Sequence, residues 1–284
     1  VSSPSISIVT PSLNQAEYLE ETLTSVLDQG FESLEYVVVD GGSTDGSIAI
    51  IKRHADRLSF WVSEPDRGHA DAINKGFGHT TGEIMAWINS SDVYLPWTLR
   101  TVAAVFRDVP EAQWVMGVPA YWSDARAVTD INPILRNRYD FLASHRCTLQ
   151  QESVFWRRPL WDACGGHVSE DMKLACDHEL WMRFGQNAPL YHVDSVLAAF
   201  RPHLDRRGSA QRKEYLRETR ATWERYRSQT SSQDLWRAAL VRASDSRAGR
   251  VMRAAMRSYD LMNWDRAPRI VFDHASERWA VARQ

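Results

Sequence analysis

The first 90 residues alternate short apolar runs with amphipathic stretches, and that rhythm leaves few folds open to the chain. Ile6-Ser7-Ile8-Val9 reads as a strand. Residues 15–28 read as a helix, with Tyr18, Leu19, Leu23, Val26 and Leu27 at helical spacing. Tyr36-Val37-Val38-Val39 is apolar throughout, as a parallel strand covered on both faces must be. Gly41-Gly42-Ser43 then turns the chain, and Thr44 or Asp45 offers a cap for a helix to about His54. Phe60-Trp61-Val62 is a third strand, residues 69–77 a short helix, and Ile84–Ile88 a fourth strand. This alternation predicts a doubly wound α/β sheet. Such sheets bind ligands at the carboxyl ends of their strands.

Beyond residue 96 the pattern loosens. Pro96–Phe106 and Leu174–Phe184 read as helices; Trp114–Val118, Ser153–Trp156, Leu190–Val193 and Val196–Phe200 read as strands. Residues 119–150 show no clear period. From about 211 the pattern is helical, with Tyr215, Leu216, Thr219, Trp223 and Tyr226 as one stripe. The expectation is an α/β body over 1–205, split near residue 95 into a first and a second half, and a helical extension over 206–284.

Charge separates the same two parts. The net charge is -2. Residues 201–284, however, hold 19 Lys+Arg against 10 Asp+Glu, and the rest of the chain is acidic. Arg206, Arg207, Arg212 and Lys213 open that segment, and Arg247, Arg250, Arg253 and Arg257 recur at helical spacing. Such a stripe suits an anionic membrane surface, a partner subunit or the acidic body itself. Nucleic acid is not expected, because no recognition motif accompanies the charge. No apolar run approaches the roughly 18 residues of a membrane span. Three cysteines without C-x-x-C spacing point to a reducing compartment. The expected location is therefore cytoplasmic, with a peripheral attachment to the inner face of the membrane through the basic segment.

Four polar clusters follow the four predicted strands. They are Thr10-Pro11-Ser12-Leu13-Asn14, Asp40-Gly41-Gly42-Ser43-Thr44-Asp45-Gly46, Glu64 to Asp71 running on to Asn74-Lys75-Gly76, and Asn89-Ser90-Ser91-Asp92. Any one of them is ordinary turn chemistry. Four after successive parallel strands point to a ligand site. No G-x-G-x-x-G follows the first strand, which argues against a dinucleotide-binding dehydrogenase.

The segments SIVTPSLNQAEYLEETLTSVLDQ, EYVVVDGGSTDGS, SEPDRGHADAINKGF and GEIMAWINSSDVYLP, in this order, resemble the inverting family-2 glycosyltransferases of GT-A fold. The resemblance covers roughly residues 5–205. It implies transfer of a sugar from a nucleotide-sugar to an acceptor hydroxyl of a glycan or lipid-linked saccharide, with inversion. It places Thr10, Pro11 and Asn14 along the nucleoside and Asp40 on the base, where an N3–H donor would favour a UDP- or dTDP-sugar. Gly68 and Asp71 would border the nucleotide, and Lys75 would offset phosphate charge.

Asn89-Ser90-Ser91-Asp92 stands at the family's metal motif, which binds a divalent cation, Mn²⁺ or Mg²⁺, bridging two phosphates. Ser91 occupies the place of a second Asp in that motif. Asp92 is then the one carboxylate, and His203, in Phe200-Arg201-Pro202-His203, is the candidate second ligand. Cys176-Asp177-His178-Glu179 resembles the family's E-D segment, which makes Asp177 the general base of a single inverting displacement. Glu179 lies two residues on and cannot share its helix face. Trp122 and Trp156 are candidates for the acceptor cleft, since aromatic faces stack on sugars. The alternative is a non-catalytic nucleotide-sugar or glycan-binding module, to which the missing carboxylate at Ser91 lends support.

Overall fold

The computed structural model describes residues 3–202, 211–243, 251 and 267–282. Its first third follows the predicted rhythm. Strands β1 (Ile6–Ser12), β2 (Leu34–Asp40), β3 (Phe60–Ser63) and β4 (Ile84–Trp87) alternate with helices α1 (Ala16–Leu27), α2 (Ser47–Arg53) and α3 (His69–Phe77). β2 pairs with β3, and β1 pairs with both β2 and β4, all in parallel. The chain passes β1, β2 and β3 to one side and returns to place β4 on the other side of β1. The crevice of such a sheet opens where the strand order reverses, here between the ends of β1 and β4.

β5 (Val93–Tyr94), α4 (Thr98–Asp108), β6 (Trp114–Met116), β7 (Ala120–Trp122), β8 (Val128–Ile131) and α5 (Arg138–Ala143) follow. Next come β9 (Val154–Arg157), α6 (Arg158–Ala163), α7 (Cys176–Asn187), β10 (Leu190–Val193) and β11 (Ala198–Ala199). β9 lies antiparallel between β4 and β6, which makes the sheet mixed. The segment 119–150, aperiodic in sequence, holds the β7–β8 hairpin and α5. α5 has a capping box: the Asn137 side chain accepts from the Tyr139 and Asp140 N–H groups, and Asp140 answers by accepting from Asn137 N–H.

The last segment departs from the helical expectation. α8 (Arg212–Ser228) and α9 (Ser232–Ala243) are helices, but β12 (Arg269–Asp273) and β13 (Arg278–Val281) form an antiparallel hairpin. β12 pairs in parallel with β10, so among the described residues the central sheet has nine strands in the order β13-β12-β10-β6-β9-β4-β1-β2-β3. The physical reason is that β10 would otherwise show an open edge of unpaired backbone groups. Residues 206–210, 244–250 and 252–266, with Arg206, Arg207, Arg247, Arg250, Arg253 and Arg257, lie outside the described residues.

The core is aromatic at its centre. Trp87, Trp114, Trp156 and Trp181 are all buried; Trp181 stacks on Trp87 with ring centroids 5.6 Å apart and on Trp114 at 5.9 Å. α7 is thereby bound to the face of the sheet. α3 approaches β1 closely at Gly76, where an added Cβ would lie 2.4 Å from Val9 Cγ1. Gly76→Ala should therefore destabilise the fold by roughly 1–3 kcal/mol through overpacking. A urea midpoint equal to that of the unaltered protein would show that α3 can shift freely.

Candidate active site

A cavity of about 520 Å³ opens at the carboxyl ends of β1 and β4. One side is formed by Pro11, Ser12 and Leu13 after β1, by Asp66 and His69, and by Asn89, Ser90 and Ser91 after β4. The other is formed by Thr148 to Glu152, by Lys173, Leu174 and Asp177 around the start of α7, and by Tyr215 of α8. Tyr121 and Phe200 also line it, and their rings meet edge to face at 5.7 Å. Among the described residues no tryptophan lines it. Trp156 is on β9, in the middle of the sheet, and is fully buried in the tryptophan cluster, so it cannot serve the acceptor cleft.

The first loops are braced by one another. Asn14 takes a left-handed backbone conformation (φ 52°), which Asn tolerates better than most residues. Its N–H donates to Ser43 Oγ at 2.7 Å, and its Oδ1 accepts from Thr44 N–H at 2.9 Å. Thr10 is fully buried, with its hydroxyl 2.9 Å from that of Tyr36. Asp40 is fully buried as well. Its Oδ2 accepts from the Gly42 and Ser43 N–H groups and from Ser63 Oγ, and its Oδ1 accepts from Ser43 Oγ. Pro11 thus lines the cavity, whereas Thr10, Asn14 and Asp40 shape the loops behind its wall.

Asp66, at the entry to α3, is on the wall and also accepts from Gly68 N–H at 2.8 Å. A Cβ on Gly41 would come within 2.6 Å of Asp66 Oδ2, so the glycine lets the two loops close on each other. Gly68 has φ +126°, a backbone state that favours glycine. Asp71 accepts from Arg67 through both its N–H and its guanidinium. The hydrogen bond from that guanidinium is the main cause that holds the carboxyl down to about 2. Lys75 pairs with Glu64 at 3.1 Å and with Asp71 at 3.4 Å. Asp71 and Lys75 therefore form a charge cluster beside the cavity and do not line it.

The turn after β4 is tied to the end of the body. Asp92 is fully buried, and its Oδ1 accepts from Arg201 N–H at 3.0 Å. The Arg201 guanidinium donates to the Ser91 carbonyl and to Glu21. Ser91 remains on the cavity wall. His203 lies outside the described residues. Among the described residues no group of three His, Cys, Asp or Glu side chains could hold a metal by itself. Asp92 Oδ2 is 3.4 Å from Asn89 Nδ2, and Asn89 Oδ1 is buried with no hydrogen-bond partner. Asp92 does not line the cavity, so Asn89 Oδ1 is the unpartnered ligand oxygen of this turn, and Asp92 Oδ2 would join it only on exchanging the Asn89 amide for a cation that takes its other ligands from a diphosphate and water.

Asp177 occupies the second position of α7, on the cavity wall. Its Oδ1 is buried without a hydrogen-bond partner. Burial pushes the carboxyl up to about 6, against the pull of backbone N–H groups at the start of the helix. His178, next in sequence, is held down to about 4 by burial and so stays uncharged at neutral pH. Glu179 faces α8, where it accepts from Tyr226 OH at 2.8 Å, and it pairs with Arg183 at 2.8 Å. Ser12 Oγ, Asn89 Oδ1, Gln150 Oε1 and Gln151 Oε1, on lining residues, are also buried without partners. Three of these can only accept, so the cavity suits a ligand rich in hydroxyl donors.

Sequence reasoning did not assign Tyr215 and Glu218 of α8 to the site. The only signal was the helical stripe that begins at Tyr215, and it does not say which surface the helix covers.

Residues 7–157 match the model of glycosyl transferase family 2. An uncharacterized glycosyltransferase of Mycobacterium tuberculosis is 36% identical over 203 residues, covering 70% of this chain and 76% of that protein. A putative teichuronic acid biosynthesis glycosyltransferase, TuaG of Bacillus subtilis, is 36% identical over 92 residues, 31% of this chain and 36% of that one. Among solved structures, residues 1–349 of TarS from S. aureus in complex with UDP-GlcNAc superpose with a TM-score of 0.66 at 19% identity, over 84% of this chain and 70% of that one. The mannosyltransferase PcManGT from Pyrobaculum calidifontis, in complex with GDP-Man and Mn²⁺, gives 0.54 at 21% identity, over 93% and 82%. The chain spans 37% of the longer TarS structure. Among the described residues no helix is long and apolar enough to cross a membrane.

Proposed function

This chain belongs to glycosyl transferase family 2 and has the GT-A fold, and we propose that it transfers a sugar from a UDP- or dTDP-sugar to a saccharide hydroxyl with inversion. The observation that carries the reading is Asp177: a carboxylate on the cavity wall, its Oδ1 unpartnered, with its pKa raised to about 6 by burial. A base of that strength is deprotonated at neutral pH yet still accepts a proton readily. Turnover separates this reading from a binding module, which would bind the nucleotide but release none from any mixture of donor and acceptor.

In this reading the donor lies along Pro11 to Leu13 and Asn89 to Ser91, and the acceptor enters beside Thr148 to Glu152 and Tyr215. The loops behind the wall, held by Asn14 and Asp40, keep the nucleoside side rigid. The acceptor hydroxyl gives its proton to Asp177 while its oxygen bonds to the anomeric carbon from the face opposite the diphosphate. The bond from that carbon to the diphosphate oxygen breaks, and the electron pair leaves with the nucleoside diphosphate. A divalent cation, when bound, offsets the charge that grows on the leaving group. Asp92 Oδ2 and Asn89 Oδ1 are the groups that would hold it, with His203 as a further candidate. Ser12, Gln150 and Gln151 accept from sugar hydroxyls.

The acceptor is a glycan or lipid-linked saccharide of the bacterial surface in this proposal, in line with the name of the TuaG relative. The cytoplasmic location and the contact of the basic segment with anionic lipid belong to the same proposal.

The test is a thermal-shift series with UDP, dTDP, GDP and CMP, each with and without Mn²⁺, followed by nucleotide release from the sugars of the nucleotides that bind. Binding to the folded state raises the melting point by mass action. UDP or dTDP should give the largest rise, and Mn²⁺ should enlarge it. Equal shifts with all four nucleotides would overturn the donor assignment.

A further inference from the structure

α7 begins without a capping side chain of its own: Ala175 stands at the N-cap position. The first N–H groups of a helix need acceptors, and the positive end of its dipole favours a negative charge nearby. The N–H groups that another helix satisfies here are the three just before α7, not the helix's own first ones. Glu218 of α8 is buried, and its Oε1 accepts from Lys173 N–H at 3.0 Å. Its Oε2 accepts from the Leu174 and Ala175 N–H groups, both at 2.9 Å. Three consecutive backbone groups of the segment leading into Asp177 therefore rest on one carboxylate. Lys173, Leu174 and Asp177 line the cavity at this point, and Tyr215, one helical turn before Glu218, lines it too.

We propose that Glu218 is a positioning residue for Asp177, and that α8 uses it to clasp the Lys173–Ala175 turn so that the acceptor side of the cavity exists only when α8 is docked. The inference rests on the reading of Asp177 as the general base. A neutral amide cannot replace this clasp. Glutamine offers one acceptor oxygen, and its NH₂ group would face an N–H that needs an acceptor. The negative charge of Glu218 also opposes ionisation of Asp177, so its removal should ease that ionisation.

The test compares the unaltered protein with Glu218→Gln by hydrogen exchange over residues 172–180 and by titration of the Asp177 carboxyl in carbon-13 spectra. The Asp177 resonance is assigned from its loss in Asp177→Asn. Exchange at residues 173–175 should rise at least about 10-fold in Glu218→Gln, the factor that corresponds to 1.4 kcal/mol. The Asp177 midpoint should move to lower pH. Tyr226→Phe, which loosens the α7–α8 contact at Glu179 instead, should leave that midpoint in place. Should Glu218→Gln fail to fold, Glu218→Asp keeps the charge but retracts it by one methylene, and exchange at 173–175 should rise in that variant as well.

Unchanged exchange and an unmoved midpoint in Glu218→Gln would overturn the clasp, as would an equal midpoint shift in Tyr226→Phe. Failure of the base assignment looks different. It would appear as normal turnover by Asp177→Asn, whatever the Glu218 variants do.

Discussion

Asp177→Asn is expected to lower sugar transfer by at least about 100-fold, the low end of what a general base contributes, while nucleotide binding stays intact. The substitution keeps the size and shape of the side chain and removes only its basicity. The unaltered enzyme should also show a rate that falls as pH drops through about 6, because burial raises the Asp177 carboxyl to that value and the base works only when ionised. The residual rate of the variant should lack that limb.

The same shift has a consequence for stability, with a definite sign. The folded-state pKa lies above the ordinary value of 3.8, so this carboxyl favours the fold when protonated, and that contribution is lost as pH rises from about 4 through about 6. Above that window the charged form costs on the order of 3 kcal/mol, at 1.36 kcal/mol per pH unit. Asp177→Asn should thus be more resistant to urea than the unaltered protein at pH 8, and the difference should shrink towards pH 4. A variant that loses activity and stability together at pH 8 would mean that Asp177 is structural.

Trp181→Ala is expected to destabilise the protein by about 3–5 kcal/mol, the range for deleting a large buried aromatic side chain. Trp181 is fully buried, stacks on Trp87 and Trp114, and meets Trp156 and Phe184 at 5.8 and 5.7 Å. No neighbour can fill the space it would leave, because the surrounding rings are themselves held in the sheet and in α7. A typical domain has only about 5–15 kcal/mol in total, so the variant should unfold at much lower urea. Trp181 is one turn beyond Asp177 on α7, so transfer should drop in the folded fraction as well. Trp181→Phe should recover most of the stability. A loss below about 1 kcal/mol in Trp181→Ala would contradict this packing.

The strand–loop order of the first 90 residues was legible because each buried parallel strand is an apolar run closed by small polar residues, a local pattern. The place of Asp177 at a helix start was legible through its short motif. What could not be read was direction. The pattern brings Thr10, Asn14 and Asp40 to the strand ends, but it does not show that their polar atoms turn towards Tyr36, Thr44, Gly42, Ser43 and Ser63. Lys75 likewise reads as a free cation until Glu64 and Asp71 are seen beside it.

The strands Arg269–Asp273 and Arg278–Val281 escaped for a different reason. They are short, carry charged ends and depend on a partner, β10, that is distant in sequence. Glu218 shows the same limit. A glutamate amid Arg and Thr on a helix looks like a solvated residue, and only the packing of α8 on α7 shows that it is buried.

The pairing of β12 with β10 also bears on how the molecule comes into being. Val193 meets Ile270 across that ladder, and the intervening stretch, on the order of 80 residues, must leave the ribosome before the two can join. At ~5–20 residues per second the newborn polypeptide spends several seconds with one flank of its sheet bare and with Glu218 not yet in place. During that interval the bare edge of β10 is open to pairing with other polypeptides, so the risk of aggregation should be greatest during synthesis.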